Sequence, residues 1–379
     1  MNAVHTAPRA FWRRIAAMII KEFLQLRRDR ITFSTMIVVP MVQLALYGYA
    51  IDTNPRNLPT AVLMQETSDV GRSILAALQN TKYFKITHQV GDVDTLDRLL
   101  ASGEILFAVE IPTGFERELR RGDRPSLLMA ADATDPVAVT SAFNTLHDVV
   151  ETALENERAV PEVTPAAFEI REHRRYNPAG STQLNIVPGL LGTILTMSML
   201  VFTGLSLTRE VERGTMESLL VMPISPLEVM LGKIMPYVFV GFLQGTLVLG
   251  AAVMLFGVPV AGSIVLLAAL TILFITTNLS IGYTFSTFAK TQLQSVQMVM
   301  MFFLPNILLS GFMFPFAGMP TWAQWVSEGL PLTHYLRIVR AIMLKGSTLV
   351  DLHMEAFWLA ALMLLAMTIA VTRFHRTLD

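Results

Sequence analysis

Residues 234–289 read IMPYVFVGFLQGTLVLGAAVMLFGVPVAGSIVLLAALTILFITTNLSIGYTFSTFA, 56 positions without one Asp, Glu, Lys or Arg. A soluble fold could not solvate such a run, whereas a membrane helix needs about 20 apolar residues to cross the hydrocarbon core. The run is long enough for two spans, with the break expected at Gly257-Val258-Pro259 to Gly262. Four further charge-free stretches surround it, at 31–51, 176–208, 291–327 and 356–372. Across the 379 residues, 53% are hydrophobic and 16% charged, against roughly 25% charged in a typical soluble domain. The expectation is a membrane α-helical protein with six transmembrane helices, near 31–51, 184–208, 234–256, 263–286, 292–314 and 356–372. The last is the shortest, with Glu355 and Arg373 expected to reach out toward the interfaces.

Charge placement orients the chain. Residues 1–30 carry Arg9, Arg13, Arg14, Lys21, Arg27, Arg28 and Arg30 against Glu22 and Asp29, which puts the N-terminus in the cytoplasm by the positive-inside rule. The 21-residue run 31–51 exceeds the apolar core of a cleaved signal and reads as a permanent span. Six crossings return the C-terminus to the cytoplasm, where Arg373 and Arg376 follow the last span.

From 52 to 180 the composition becomes that of a soluble domain with an acidic balance. Strands are expected at Thr60–Met64, Tyr83–Thr87, Ile105–Glu110 and Ser126–Ala131, with amphipathic stretches near 69–79, 92–102 and 112–121. Asp135-Pro136 opens a helix running to about Arg158. This is an α/β extracytoplasmic domain between the first and second spans. It shows no metal spacing and no nucleophile motif, and His88, His147 and His173 read as surface residues.

The spans themselves hold no Asp, Glu, Lys, Arg or His in their interiors, which weighs against an ion-coupled transporter. Gln43, Asn185, Gln244, Asn278, Gln297 and Asn306 are their polar residues, suited either to helix bridging or to substrate contact. Gly232-Lys233 has no glycine five residues earlier and no Ser or Thr after it, so it is not a phosphate-binding loop. With no HExxH helix and no cysteine, no catalytic and no metal-binding residue is assigned, and the chain is expected to bind no cofactor.

The cytoplasmic loop 209–233 is the densest in charge. Arg209, Glu210, Glu212, Arg213 and Glu217 crowd a short helical stretch that Pro223 ends. Ser225-Pro226-Leu227-Glu228 restarts a helix as a capping box. Ahead of the first span, Trp12, Ile15, Ile19, Phe23 and Leu26 recur every three or four residues, and Arg14, Lys21 and Arg28 every seven. That pattern predicts an interfacial helix with its cationic face toward lipid phosphates. Between the last two spans, 315–354 holds Pro315, Pro320, Trp322, Trp325 and Pro331, as expected of short helices dipping into the outer leaflet.

On these residues the chain resembles permease subunits of ABC-2 type exporters with six spans and a large outside domain. The matching positions are Lys21-Glu22 with Leu26-Arg27-Arg28-Asp29; Glu210, Glu212-Arg213-Gly214-Thr215 and Glu217; Pro223, Glu228 and Gly232-Lys233; and Pro331-Leu332-Thr333 with Tyr335 and Arg340. Asp132-Ala-Thr-Asp135-Pro136 and the ending Arg373-Phe-His-Arg-Thr-Leu-Asp379 fit too. The resemblance implies a type V exporter fold and a dimer of permease subunits, either identical or paralogous. It also implies a separate ABC ATP-binding subunit carrying ATP and Mg, so the chain is not itself an enzyme. Arg209, Glu210, Glu212, Arg213, Gly214, Thr215, Glu217, Pro223, Glu228 and Lys233 would then couple to the ATPase, with Arg14, Lys21, Glu22 and Arg28 on the interfacial helix. It implies a substrate path along the second and fifth spans past Asn185, Met197, Phe202, Met298, Met301, Phe302 and Asn306, and an outer gate at 315–354.

The function expected is ATP-driven export of hydrophobic or amphiphilic compounds across a bacterial inner membrane. The alternative is a non-transporting receptor or assembly factor whose outside domain binds a partner under an ATPase switch. Membrane lipids are expected partners and nucleic acid is not; the size of the outside domain leaves room for a periplasmic adaptor and outer-membrane channel.

Overall fold

The computed structural model describes residues 8–28, 30–50, 57–66, 68–121, 123, 125–131, 181–215, 225–314 and 316–374; the side chains of 8–10, 25–28, 30–33, 35, 50 and 317 are not described. In chain order the elements are α1 (Pro8–Arg28), α2 (Arg30–Ala50), β1 (Leu58–Met64), α3 (Asp69–Asn80), β2 (Phe84–Val90), α4 (Val93–Ala101), β3 (Phe107–Ile111), α5 (Phe115–Arg121) and β4 (Leu128–Ala131). They continue with α6 (Thr182–Glu212), α7 (Pro226–Phe256), α8 (Ile264–Phe288), α9 (Gln292–Leu309), α10 (Thr321–Glu328), α11 (Pro331–Arg340) and α12 (Leu349–Phe374). The chain forms two compact units, one of residues 1–51 with 175–379, the other of 52–174.

In the second unit the sheet order is β2-β1-β3-β4, with β1 parallel to β2 and β3, and β4 antiparallel to β3. Parallel strands joined by helical crossovers must be covered on both faces. Val70, Ile74 and Leu78 of α3 and Phe115 of α5 pack on Val62, Phe84, Phe107 and Val109, while Leu96 of α4 packs with Ala61, Leu63 and Ala108. Ser68 and Asp92 cap α3 and α4 by accepting from the Gly71 and Thr95 backbone N–H groups. The Thr95 N–H holds the Asp92 carboxyl below the usual carboxylate range. The expected α/β architecture is present, its four strands starting and ending within a few residues of the expected ones. The helix expected from Asp135 to Arg158 lies outside the described residues.

The first unit is helical. Among the described residues five helices, α6, α7, α8, α9 and α12, are long and apolar enough to cross a membrane; α2 contributes a shorter apolar segment, Met36–Tyr49. Two long spans come from 234–289, broken where Gly257 takes φ +63° and ends α7. The capping box forms as read: Ser225 Oγ accepts from Glu228 N at 3.3 Å, and Glu228 Oε2 accepts from Ser225 N at 2.7 Å.

Several boundaries differ from the charge-free runs. Helix α6 continues through Arg209 to Glu212, so those charges extend the long apolar helix rather than forming a separate short one. Helix α7 starts at Pro226 and carries Glu228 and Lys233 in its first turns. Helix α9 ends at Leu309, five residues before the expected limit. Helix α12 starts at Leu349, because its acidic residues are satisfied locally. Asp351 accepts from Thr348 N at 2.8 Å, and Glu355 bonds to His334 Nδ1 at 2.6 Å and Arg337 at 3.3 Å.

Helix packing follows membrane rules, with small residues at crossings and hydroxyls bridging helices. A Cβ on Gly282 of α8 would lie 2.8 Å from the Leu200 carbonyl oxygen of α6. Ser295 of α9 donates to Gly204 O at 2.5 Å, Thr277 and Thr284 of α8 donate to Leu359 O and Ala366 O of α12, and Tyr335 of α11 bonds Thr271 at 2.9 Å. The segment expected to form short helices between the last two spans does so, as a 3-10 turn at Phe316–Gly318, α10 and α11. Trp322 and Trp325 are exposed on α10.

Candidate functional site: an ionic junction and an apolar cavity

Helix α1 lies against the start of α7, and Gly232 sets how closely. A Cβ there would fall 2.6 Å from both Cβ and Cγ of Met18, so only glycine admits this approach. Ile15, Met18 and Glu22 form the buried face of α1, while Trp12 and Phe23 stay exposed. The next residue, Lys233, is 1% exposed and sits among carboxylates: Nζ is 3.0 Å from Glu210 Oε1 and 3.4 Å from Glu22 Oε1. It also donates to Ser206 O at 3.4 Å. Lys21 adds a second cation, 3.3 Å from the same Glu210 oxygen and 3.9 Å from Glu22. Two cations and two anions thus join α1, the end of α6 and the start of α7. A buried charge is tolerated only when so compensated.

A second ion pair fixes the same helices. Arg14 Nε and Nη2 donate to Glu228 Oε1 at 2.9 and 2.7 Å. Glu228 is 1% exposed, so it serves both as capping-box acid and as the anchor for α1. The expectation that Arg14 and Lys21 face lipid phosphates is therefore corrected: both reach carboxylates of this chain, which lie within contact distance and need no lipid. Arg28 ends α1, with its side chain outside the described set.

The other loop residues fall into two groups. Glu212 accepts from the backbone and side-chain nitrogens of Gln292, the first residue of α9, tying the end of α6 to the start of α9. Anions are favourable at a helix N-terminus. Arg213, Gly214 and Thr215 are exposed at the end of α6; Gly214 turns the chain at φ +69°, and Thr215 N donates to Glu210 O at 3.0 Å. Arg209 is half-buried. Glu217 and Pro223 lie outside the described residues.

The substrate-path residues do not form one surface. Met197 lines a cavity of about 280 Å³ between α2, α6, α9 and the segment after α9, with Gln43, Leu190, Ile194, Phe303 and Phe312 among its walls. Phe202 instead turns inward to stack on Tyr237, ring centres 6.1 Å apart, and Phe302 meets Phe285 edge-on at 5.5 Å. Met298 is half-buried, Met301 and Asn185 are exposed, and Asn306 is fully buried. Neither polar atom of the Asn306 side chain has a hydrogen-bond partner among the described residues, a costly arrangement of the kind that marks functional positions.

Sequence reading missed a third group. His334, fully buried, bonds Glu355 through Nδ1 at 2.6 Å and the Glu328 carbonyl through Nε2 at 2.9 Å. Arg337 bridges Glu328 at 2.6 Å and Glu355 at 3.3 Å, pinning the α10–α11 hairpin to α12. A His, an Arg and two Glu bordering charge-free runs were the available signal, but their pairing was not.

A family model described as "ABC-2 family transporter protein" matches residues 30–372. Similar curated proteins include the "Probable multidrug ABC transporter permease YbhS" of Escherichia coli K12, 26% identical over 97% of this chain and 98% of that one. "Probable multidrug ABC transporter permease YbhR" of the same strain is 26% identical over 91% and 93%. "Inner membrane transport permease YhhJ", also of that strain, is 28% identical over 97% and 98%.

Proposed function

Since the chain belongs to the ABC-2 transporter family, in which the ATPase activity lies in a separate subunit, we propose that it moves hydrophobic or amphiphilic compounds, drug-like molecules or lipids, out of the cytoplasm or inner leaflet. The observation that carries the cargo class is the cavity beside Met197, walled mainly by aliphatic and aromatic side chains with Gln43 and Thr193 as polar points. The relatives' printed names, multidrug and inner-membrane transport permeases, support the same reading.

In this reading α2 is the first of six spans, both termini are cytoplasmic, and residues 52–180 form the periplasmic domain of a bacterial inner-membrane protein. The similarity to both YbhR and YbhS supports pairing with a second permease subunit, identical or paralogous. The ionic junction of α1, α6 and α7, with the exposed turn at Arg213–Thr215, receives the ATP-binding subunit and passes its motion to α6 and α7. Through Glu212 the same motion reaches α9.

The test is uptake of a lipophilic dye into inside-out vesicles carrying the permease and its ATPase. Uptake is expected to require ATP and to fall by about tenfold or more in Ile194→Trp, whose indole fills the cavity wall. Dye, drug and bile-salt levels indifferent to ATP in wild-type vesicles would leave the chain as a non-transporting partner of its ATPase.

A further inference from the structure

Arg337 and Arg340 lie three residues apart on α11 yet meet opposite surroundings. Arg337 has two carboxylates, Glu328 and Glu355, and rests over the Phe316 ring at 4.5 Å. Arg340 has no carboxylate within ion-pair distance among the described residues. Its Nη1 donates to Gly311 O at 3.2 Å and its Nη2 to Asn185 O at 3.4 Å, while Nε is buried with no acceptor among the described residues. A guanidinium keeps its charge at any physiological pH. Two carbonyl dipoles compensate it only in part, and a half-buried cation in this state attracts an anion.

Both of its acceptors belong to the segments that line the apolar cavity. Gly311 precedes Phe312 and Met313, and Asn185 lies little more than one helical turn before Leu190, all three of which line the cavity. Gly189 admits the Phe312 ring: a Cβ there would fall 2.5 Å from that ring and 3.5 Å from Leu336, one turn before Arg340 on α11. The helix and loop that line the apolar cavity thus also hold a guanidinium with no carboxylate partner among the described residues.

We propose that Arg340 and this cavity form a binding site for an anionic amphiphile, with the apolar body in the cavity and a carboxylate, sulfate or phosphate group on the guanidinium. The proposal deepens the export reading, on which it rests, by assigning a charge to the cargo. The same chemistry is offered by an exported compound and by the headgroup of a resident anionic lipid.

The probe is dansylaminoundecanoic acid, compared with its uncharged primary amide, on the complete permease–ATPase complex in phosphatidylcholine nanodiscs. The acid is expected to bind more tightly than the amide. Arg340→Gln is expected to weaken the acid by about tenfold, the loss of a charge-assisted bond, and to leave the amide unchanged; Arg340→Lys retains part of the preference. Equal binding of the acid to wild type and Arg340→Gln overturns the site, and so does an equal loss of both probes, which would make Arg340 only a brace between α6, α9 and α11. Nanodiscs doped with phosphatidylglycerol separate the two sources: displacement of the acid identifies a lipid headgroup, persistence an exported compound, and either supports the site. Arg340-dependent binding without ATP-driven dye uptake would retain the site and remove the export reading; dye uptake without Arg340-dependent binding does the reverse.

Discussion

Lys233→Met is expected to destabilise the first unit by about 3–5 kcal/mol, the cost of removing one partner from a buried ion pair. The methionine keeps the apolar stem but leaves Glu22 and Glu210, 7% and 13% exposed at their side chains, without the cation that lies between them. Lys21 cannot substitute, because its side chain is half-exposed and screened by solvent. Unfolding of the detergent-solubilised protein should shift to lower temperature, with loss of ATPase co-purification. Adding Glu22→Gln and Glu210→Gln removes the stranded charges and should restore most of the stability. It should not restore substrate-stimulated ATPase activity, because the junction then holds α1, α6 and α7 without its ionic constraint. An unchanged unfolding temperature in Lys233→Met would show that the cluster contributes little.

Gly282→Ala is expected to cost at the upper end of the ~1–3 kcal/mol typical of overpacking, and Gly282→Leu more. The added Cβ would meet Thr203 Oγ1 at 2.3 Å, Leu200 O at 2.8 Å and Leu200 Cα at 3.1 Å. The threonine hydroxyl can rotate away; the Leu200 backbone cannot, so α6 and α8 must separate. Thr203→Ala should therefore fail to rescue Gly282→Ala, and this double variant distinguishes a backbone clash from a side-chain one. Full rescue in thermal unfolding would contradict the close helix crossing.

What the sequence made legible was local. Charge-free runs located the long helices, the Ser225–Glu228 capping box formed as spaced, and alternation placed the four strands of the α/β unit. Contacts between distant segments were not legible: Arg14 and Glu228 lie 214 positions apart, and Lys233 and Glu22 lie 211. Lys21, Glu22, Glu210 and Lys233 could be singled out from the chain, but nothing in their spacing says that they meet. Glu355 shows the complementary error. A charge was taken to end the last span, whereas His334 and Arg337 satisfy it inside the helix. Asn306 was legible as a polar residue in a span, but not as one buried without a partner among the described residues.

The central claim is that the turn after α6, held by the ionic junction, receives the separate ATPase. The chain contains no cysteine, so Thr215→Cys places a unique thiol on that turn, and Leu128→Cys places one on the α/β unit. A thiol-specific crosslinker applied to the permease–ATPase complex should join the ATPase to Cys at 215, with a yield that changes between ATP-bound and nucleotide-free states, and should spare Cys at 128. Crosslinking at 128 and none at 215 would contradict the account.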